Sequence, residues 1–395
     1  MNILRIVYDW PDHNTITEGL APAPYELSLA QAKLGHTIFV LCGNLNGKNI
    51  KARKFKYKLQ NGKIIVYNLP RALTGYGPFL TTSIFVPFFY LYLKATHKID
   101  LIHNHGHVGV WLLVYKSLFG FLDKTPIIGH YHITAKGREK ALKAQNQKVS
   151  GLTAWFEYPI HKFSDRLMAK ISKHVVVVSS NIAEELMKFY HVSAEKITLL
   201  ESAVDTEHFS KDGSKINLGF SEESIILGNG GRLSKRKNID ILIKALVYLP
   251  NNYKLILWGT WDLDLKTRMT DFISAKNLWD RIKYAGPVNY FDVDKYYRAV
   301  NLFVLPSSYE GLPKVVVEAL SVGCKVLASG FSIDKDIPDL RLIGSEDLTP
   351  EILAEQIIES AGLEKNYPQT RRILEEHYSW KSKAELLEKI YHRFI

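Results

Sequence analysis

Short apolar runs recur along the whole chain, each closed by a turn and followed by residues at helical spacing. Only a parallel α/β sheet accommodates that alternation throughout. In the first half the strand-like runs fall at residues 3–8, 37–42, 64–68, 101–103, 127–130, 175–178 and 197–200, with helices such as 25–34, closed by Gly35, and 182–190 between them. The pattern starts afresh at 225–229 and continues through 254–258, 282–285, 302–305 and 325–328. A pattern that starts twice implies two doubly wound domains, each holding ligands outside the carboxyl ends of its strands. The polar stretch 205–223 reads as a linker, and 380–395 as an amphipathic helix with Leu386, Leu387, Ile390 and Tyr391 at helical spacing. The expected division is 1–205, 206–378 and a terminal helix, 379–395, packing back towards the N-terminal domain.

Bulk properties exclude several classes. Two cysteines, Cys42 and Cys324, lie far apart without metal-like spacing, which fits a reducing cytosol and no disulfide framework. The start, MNILRIVY, reads as a first strand and not as a signal peptide. The most apolar segment, FLTTSIFVPFFYLYL at 79–93, is too short to span a bilayer and contains Pro87. Charge is lopsided: residues 1–205 hold 25 Lys/Arg against 14 Asp/Glu, the whole of the net +11. No acid occurs between Leu27 and Ile99, where Lys51, Arg53, Lys54, Lys56 and Lys58 cluster. Such a surface suits an anionic membrane, nucleic acid or a phosphorylated acceptor; a solvated charged face is the plain alternative.

The stretch FVLPSSYEGLPKVVVEALSVGCKVLAS, residues 303–329, carries most of the chemistry. It reads as strand, loop, helix and strand, with Pro313 near the first helical position and Gly323 as the stop. The helix start would aim unpaired N–H groups at the loop, a ready anion site. Glu318 is a carboxylate in an otherwise buried helix and needs a partner. Glu310 and Glu318 could bracket a nucleotide sugar, one on the hexose and one on the ribose. Alternatively, Glu310 ends a loop and Glu318 pairs with a core arginine. In GGRLSKRKN, 230–238, glycines permit close backbone approach, and Arg232 and Lys237 could neutralise a diphosphate. No Walker loop exists in the chain.

Two histidine pairs, His103-Asn104-His105 and His130-Tyr131-His132, end strands where such folds bind ligands. A substrate role, a structural hydrogen-bonding role and metal binding are the alternatives, the last without carboxylates at metal spacing nearby. Asp262-Leu263-Asp264 and Asp292-Val293-Asp294 match a DxD pattern, but the second reads better as a helix N-cap and neither as a metal site.

With these residues in place the chain resembles the retaining glycosyltransferases of family 4, through the E-x7-E spacing in EGLPKVVVEAL together with GGRLSKRKN. DLIHNHG, PIIGHYH, VVVVSSNIAEEL, AVDTEHF and HYSWKSKAELLEKIY extend the resemblance along the chain. It departs at Thr17–Ala21, at Glu201-Ser202-Ala203 and at Gly330-Phe331-Ser332. The resemblance implies two Rossmann-like domains facing across a cleft, the GT-B arrangement. It implies a nucleotide-diphosphate sugar on the C-terminal domain, an acceptor sugar or lipid-linked acceptor on the N-terminal one, and no metal or other cofactor. By the same resemblance, Arg232 and Lys237 clamp the donor diphosphate and Glu310 meets the donor sugar. Gly19, Gly231, Gly311, Leu312, Pro313, Lys314 and Val315 line the donor site, with backbone N–H groups between Leu312 and Val315 near the distal phosphate, Glu318 holds the ribose, and His132 sits by donor sugar and acceptor. Independently of the resemblance, the cysteine usage, the acid-free region 27–99 and the aromatic-rich segment 79–93 suggest a cytoplasmic location, peripheral on the membrane face, with nucleic acid disfavoured as partner. A core helix under the N-terminal sheet is the plain alternative for 79–93. The rival readings are a nucleotide-sugar epimerase of the same fold and a catalytically inactive nucleic-acid or membrane-binding module.

Overall fold

Runs of buried Val, Ile and Leu pair in parallel wherever helices cover both faces of a sheet, and two such sheets organise this protein. The computed structural model describes residues 1–11, 22–45, 53–59, 61–70, 77–144 and 158–395. They fall into two compact units, the first reaching to Glu201 and taking in Lys383–Ile395, the second containing Ser202–Ser382.

In the first unit the main sheet runs, edge to edge, Ile197–Leu199, His174–Val177, Ile127–Tyr131, Leu101–His105, Asn2–Ile6, Thr37–Cys42, Lys63–Asn68 and Arg53–Lys58. All neighbours are parallel except the last pair, which is antiparallel. The chain builds outwards from Asn2–Ile6 in one direction and then from Leu101–His105 in the other. The topological switch point therefore lies between these two strands, and ligand crevices form outside such points. The lysine cluster, read from sequence only as charge, includes the edge strand Arg53–Lys58.

The second sheet runs Ile282–Tyr284, Tyr253–Trp258, Ile225–Gly230, Leu302–Pro306, Lys325–Ser329 and Leu340–Ile343, all parallel. Its switch point lies between Ile225–Gly230 and Leu302–Pro306, so the loops that follow these two strands flank it.

The 205–223 stretch does not behave as a linker. Phe209 is fully buried. Arg371 donates to the carbonyls of Thr206 at 2.6 Å and Phe209 at 3.2 Å, and Arg298 to those of Ser210 at 3.0 Å and Ser214 at 2.8 Å. Polar composition misled here because two arginines supply the backbone partners that solvent would otherwise provide.

Helix Gly77–Thr96 holds the aromatic-rich segment. One face, with Val86, Tyr90 and Leu93, is buried in the core, while Ile84, Phe85, Phe88, Leu91 and Tyr92 are exposed. No described helix is long and apolar enough to cross a membrane.

Candidate active site

In the second unit the strand Ile225–Gly230 ends at Gly231, whose φ of +90° is a conformation that favours glycine. A Cβ there would stand 3.2 Å from Lys237 Nζ, so the lysine lies against the turn. Lys237 is itself buried and its ammonium is 3.4 Å from the Gly230 carbonyl. Arg232 is different: its side chain is 75% exposed and its Nε donates to Asp262 Oδ1 at 3.2 Å, an exposed pair of little net worth.

The turn after Gly231 is fastened to the Glu310 loop. Asn238, at φ +50°, donates from Nδ2 to the Pro306 carbonyl at 2.8 Å, and Ser308 N donates to the Arg236 carbonyl at 2.9 Å. These bonds bring Arg236 onto the loop, where Nη1 lies 2.7 Å from Glu310 Oε1 and 2.6 Å from the Tyr309 carbonyl. Glu310 is further held by its N–H to the Gly330 carbonyl at 2.7 Å and by Ser307 Oγ at 3.3 Å. Gly330, at φ +82°, could not carry a side chain, since a Cβ would lie 2.3 Å from the Ser307 carbonyl oxygen.

Helix Lys314–Ser321 starts one residue later than expected, with Pro313 as its N-cap rather than its first residue. Proline cannot cap with a side chain, so the N–H groups of the first turn are left for other acceptors. Val316, Val317, Ala319 and Leu320 are buried, which explains why Glu318, four per cent exposed, sits among apolar neighbours. Its partners are the Tyr297 hydroxyl, 2.9 Å from Oε2, and Lys314 Nζ, 3.2 Å from Oε1. The expected core arginine is absent from this set. Because the Lys314 pair lacks hydrogen-bond alignment, Oε1 is buried without a hydrogen-bond donor. Lys314 also lies 3.8 Å over the Tyr290 ring.

The structure thus brings Gly231, Lys237, Glu310 and the 311–315 turn to the two loops at the switch point, with Glu318 one turn along the helix. Gly19 lies outside the described residues. Sequence reasoning assigned no role to Arg236, although it stands inside the basic motif, and missed Tyr297, for which spacing offers no signal. The two DxD segments resolve into local pairs: Asp262 precedes helix Leu263–Ala275 and meets Arg232. Asp292 pairs with Lys295 at 2.7 Å and Asp294 with Arg298 at 2.5 Å. The side-chain cap in this region comes from Asn289, not from an aspartate.

In the first unit His103, His105, His130 and His132 form a stack on adjacent strand ends. His103 Nε2 is 3.2 Å from His130 Nδ1, and His105 Nδ1 is 3.1 Å from His132 Nε2. Burial pushes all four imidazoles below the ordinary histidine range, His132 to about 4, and the Arg5 cation pushes His103, His105 and His130 down further. Nitrogens of His103, His105 and His130 lie within 4.8 Å of one another, which raises metal binding again. The donor set fits poorly. Arg5 Nη2 stands 3.5 Å from His103 Nδ1, the Tyr391 hydroxyl is 2.6 Å from the same nitrogen, and the His103 and His130 rings lie only 14° from parallel. A bound cation would meet a guanidinium, and near-parallel rings do not converge their lone pairs.

Beside the stack, buried Asp165 accepts from His107 Nε2 at 2.8 Å and from the N–H of Ala135, the first residue of helix Ala135–Ala144, at 2.7 Å. His161 stacks on His107 with centroids 4.3 Å apart, and burial lowers its pKa to about 3.

Comparison with known proteins agrees with this architecture. The family model for glycosyl transferases group 1 matches residues 210–337, and that for glycosyltransferase family 4 matches 19–208. A D-inositol 3-phosphate glycosyltransferase of Streptomyces avermitilis is 25% identical over 248 residues, covering 58% of this chain and 50% of its own length. An uncharacterized glycosyltransferase of Methanocaldococcus jannaschii is 24% identical over 247 residues, 60% of this chain and 59% of its own. The chain thus spans between half and three-fifths of the length of these curated relatives. Sucrose-phosphate synthase from Thermosynechococcus elongatus superposes with a TM-score of 0.74 at 20% identity, over 99% of this chain and 98% of that one. Anabaena HepE in complex with UDP and glucose does so at 0.65 and 16%, over the full length of both. With two parallel α/β units of GT-B type and family models matching each half, the chain belongs to the group 1, family 4 glycosyltransferases.

Proposed function

We propose that this glycosyltransferase moves a hexosyl group from a nucleotide-diphosphate sugar to an acceptor hydroxyl, with retention at the anomeric carbon and without a metal ion. The observation that carries this reading is the fastening of the Gly231–Lys237 turn to the Glu310 loop beside an uncapped helix start. Together they gather basic side chains and backbone N–H groups where a diphosphate leaving group needs them. In the reaction the bond from the anomeric carbon to the diphosphate oxygen breaks as the bond to the acceptor oxygen forms on the same face. The acceptor proton passes to the departing phosphate oxygen. Lys237 and Arg232 take the charge that develops on the diphosphate. Glu310 accepts from donor-sugar hydroxyls and shares its carboxylate with Arg236. Glu318 Oε1 receives a ribose hydroxyl while Tyr297 keeps Oε2 in place.

The acceptor is lipid-linked or otherwise close to the cytoplasmic face of a membrane. The exposed apolar face of helix Gly77–Thr96 supports this, because the basic edge strand lies beside it: Lys54 stands 4.9 Å over the Tyr67 ring, which itself stacks edge-on with Phe89 of the helix.

Thermal melts against UDP-, GDP- and ADP-sugars test the donor, since a ligand at 100 times its Kd stabilises by about 2.7 kcal/mol. Transfer should persist in EDTA and give the donor's anomeric configuration. A product of inverted configuration, or activity lost on chelation and restored by manganese, would refute the mechanism.

A further inference from the structure

The hydrogen-bond partners of the histidine stack order its protons from one end, and Arg5 starts the sequence. Arg5 is fully buried, and burial lowers its pKa only to about 10, so it remains a cation that can donate and never accept. Its Nη2 donates to Gln31 Oε1 at 2.5 Å, which orients that amide. Gln31 Nε2 then donates to the Tyr391 oxygen at 3.3 Å. The phenol, which burial keeps protonated, is left to donate to His103 Nδ1. Arg5 Nη2 faces the same nitrogen, so two donors agree that His103 Nδ1 is an acceptor.

A neutral His103 therefore carries its proton on Nε2 and donates it to His130 Nδ1. His130 in turn carries its proton on Nε2. That nitrogen and His105 Nε2 are both buried without a hydrogen-bond partner, in rings whose centroids are 4.4 Å apart. A buried N–H without an acceptor is the rarer and costlier case, a buried lone pair without a donor the better tolerated one. His105 Nε2 is thus the lone pair, its proton is on Nδ1, and it donates to His132 Nε2. The last proton in the sequence sits on Nδ1 of His132, on a ring that is only partly buried.

We propose that a ladder running from Arg5 through Gln31, Tyr391, His103, His130 and His105 holds His132 as its Nδ1–H tautomer. His105 is the positioning residue, and His132 offers substrate oxygen a fixed, uncharged hydrogen-bond donor and no basic nitrogen. This rests on the proposed transfer reaction and on the family resemblance, which sets His132 beside donor sugar and acceptor. The tautomer of an imidazole is set by the hydrogen bond at its other nitrogen, and here that bond descends from a residue on a different strand. His132 then serves a donor's role at a hydroxyl or phosphate oxygen, and the acceptor proton must leave by another route, as the departing diphosphate provides.

Multiple-bond proton–nitrogen correlation spectra of the full chain, with His132 assigned through His132→Gln, read the tautomer directly. The expected pattern is protonated Nδ1 and unprotonated Nε2 on His132 at neutral pH. The opposite pattern, or an imidazolium, would overturn the ladder. Kinetics supply a second readout. His105→Asn keeps an N–H near the Nδ1 position and should retain kcat within a few-fold. His105→Leu removes it and should lower kcat by about 10²-fold, the usual cost of a lost donor. Equal losses in the two variants would overturn the positioning role. Unimpaired transfer by His132→Ala would instead remove His132 from the substrate, without bearing on the spectrum.

Discussion

The two units place opposite chemistry at equivalent points of equivalent sheets. In the second unit the loops and the helix beyond the strand ends carry charges in pairs: Glu310 with Arg236, Glu318 with Lys314, Arg232 with Asp262. In the first the strand ends carry a stack of imidazoles kept neutral by burial around one buried cation. Charged groups that are already paired can exchange partners with a charged ligand at modest cost, whereas neutral rings in a dry stack can only orient hydrogen bonds. Under the proposed function, the contrast matches the anionic, leaving part of the donor with the second unit. The first is left to handle uncharged oxygens.

The largest effect should come from the charged side. Lys237→Ala is expected to lower transfer by about 10²–10³-fold through loss of charge stabilisation, with Arg232→Ala in the same direction. Steady-state rates on folded protein would break the comparison if either variant stayed near wild type. Next, the two glutamates should separate. Glu318→Gln weakens binding of the bare nucleoside diphosphate by roughly tenfold, as expected for a charged hydrogen bond worth about 1.5–3 kcal/mol. Glu310→Gln leaves that affinity alone and lowers kcat. Calorimetry showing the reverse would exchange their roles.

A third expectation concerns pH. The histidines with depressed pKa values, His36, His103, His105, His130, His132, His161 and His174, all belong to the first unit. Each has a folded pKa below its ordinary 6.5, so on acidification the unfolded state takes up protons first. Stability is therefore intact above pH 6.5 and falls as pH drops towards about 4 for His132 and about 3 for His161. Hydrogen exchange across that window should accelerate in the strands Leu101–His105 and Ile127–Tyr131 before those of the second sheet. Uniform acceleration would show that the stack contributes no such linkage.

The smallest effect belongs to the outer face of the first unit. Phe88→Ser with Tyr92→Ser should weaken flotation with anionic liposomes at low salt, while Lys54→Ala costs about 1 kcal/mol of attraction. Absence of vesicle binding by the unaltered protein at low ionic strength would end the membrane proposal.

Much of the candidate site in the second unit was legible in the chain because it is local. Glu310 to Glu318 spans one loop and one helix, and 230–238 one strand end and one turn, so short-range spacing carries their geometry. The alternation of apolar runs likewise set the two parallel sheets, since a strand buried on both faces has few other compositions open to it. Partners were not legible. Arg236 meets Glu310 and Tyr297 meets Glu318 across separations of 74 and 21 residues, which no periodicity encodes. The polar 205–223 stretch looked like a linker until Arg371 and Arg298 were seen to satisfy its carbonyls. The histidine ladder is the extreme case, because Tyr391 reaches His103 across 288 residues. Sequence alone determined which side chains stand at the strand ends, because strand and turn chemistry act over a few residues. Only tertiary structure decided which of them hold charge and where the protons sit, because burial and hydrogen-bond partners are properties of the assembled core.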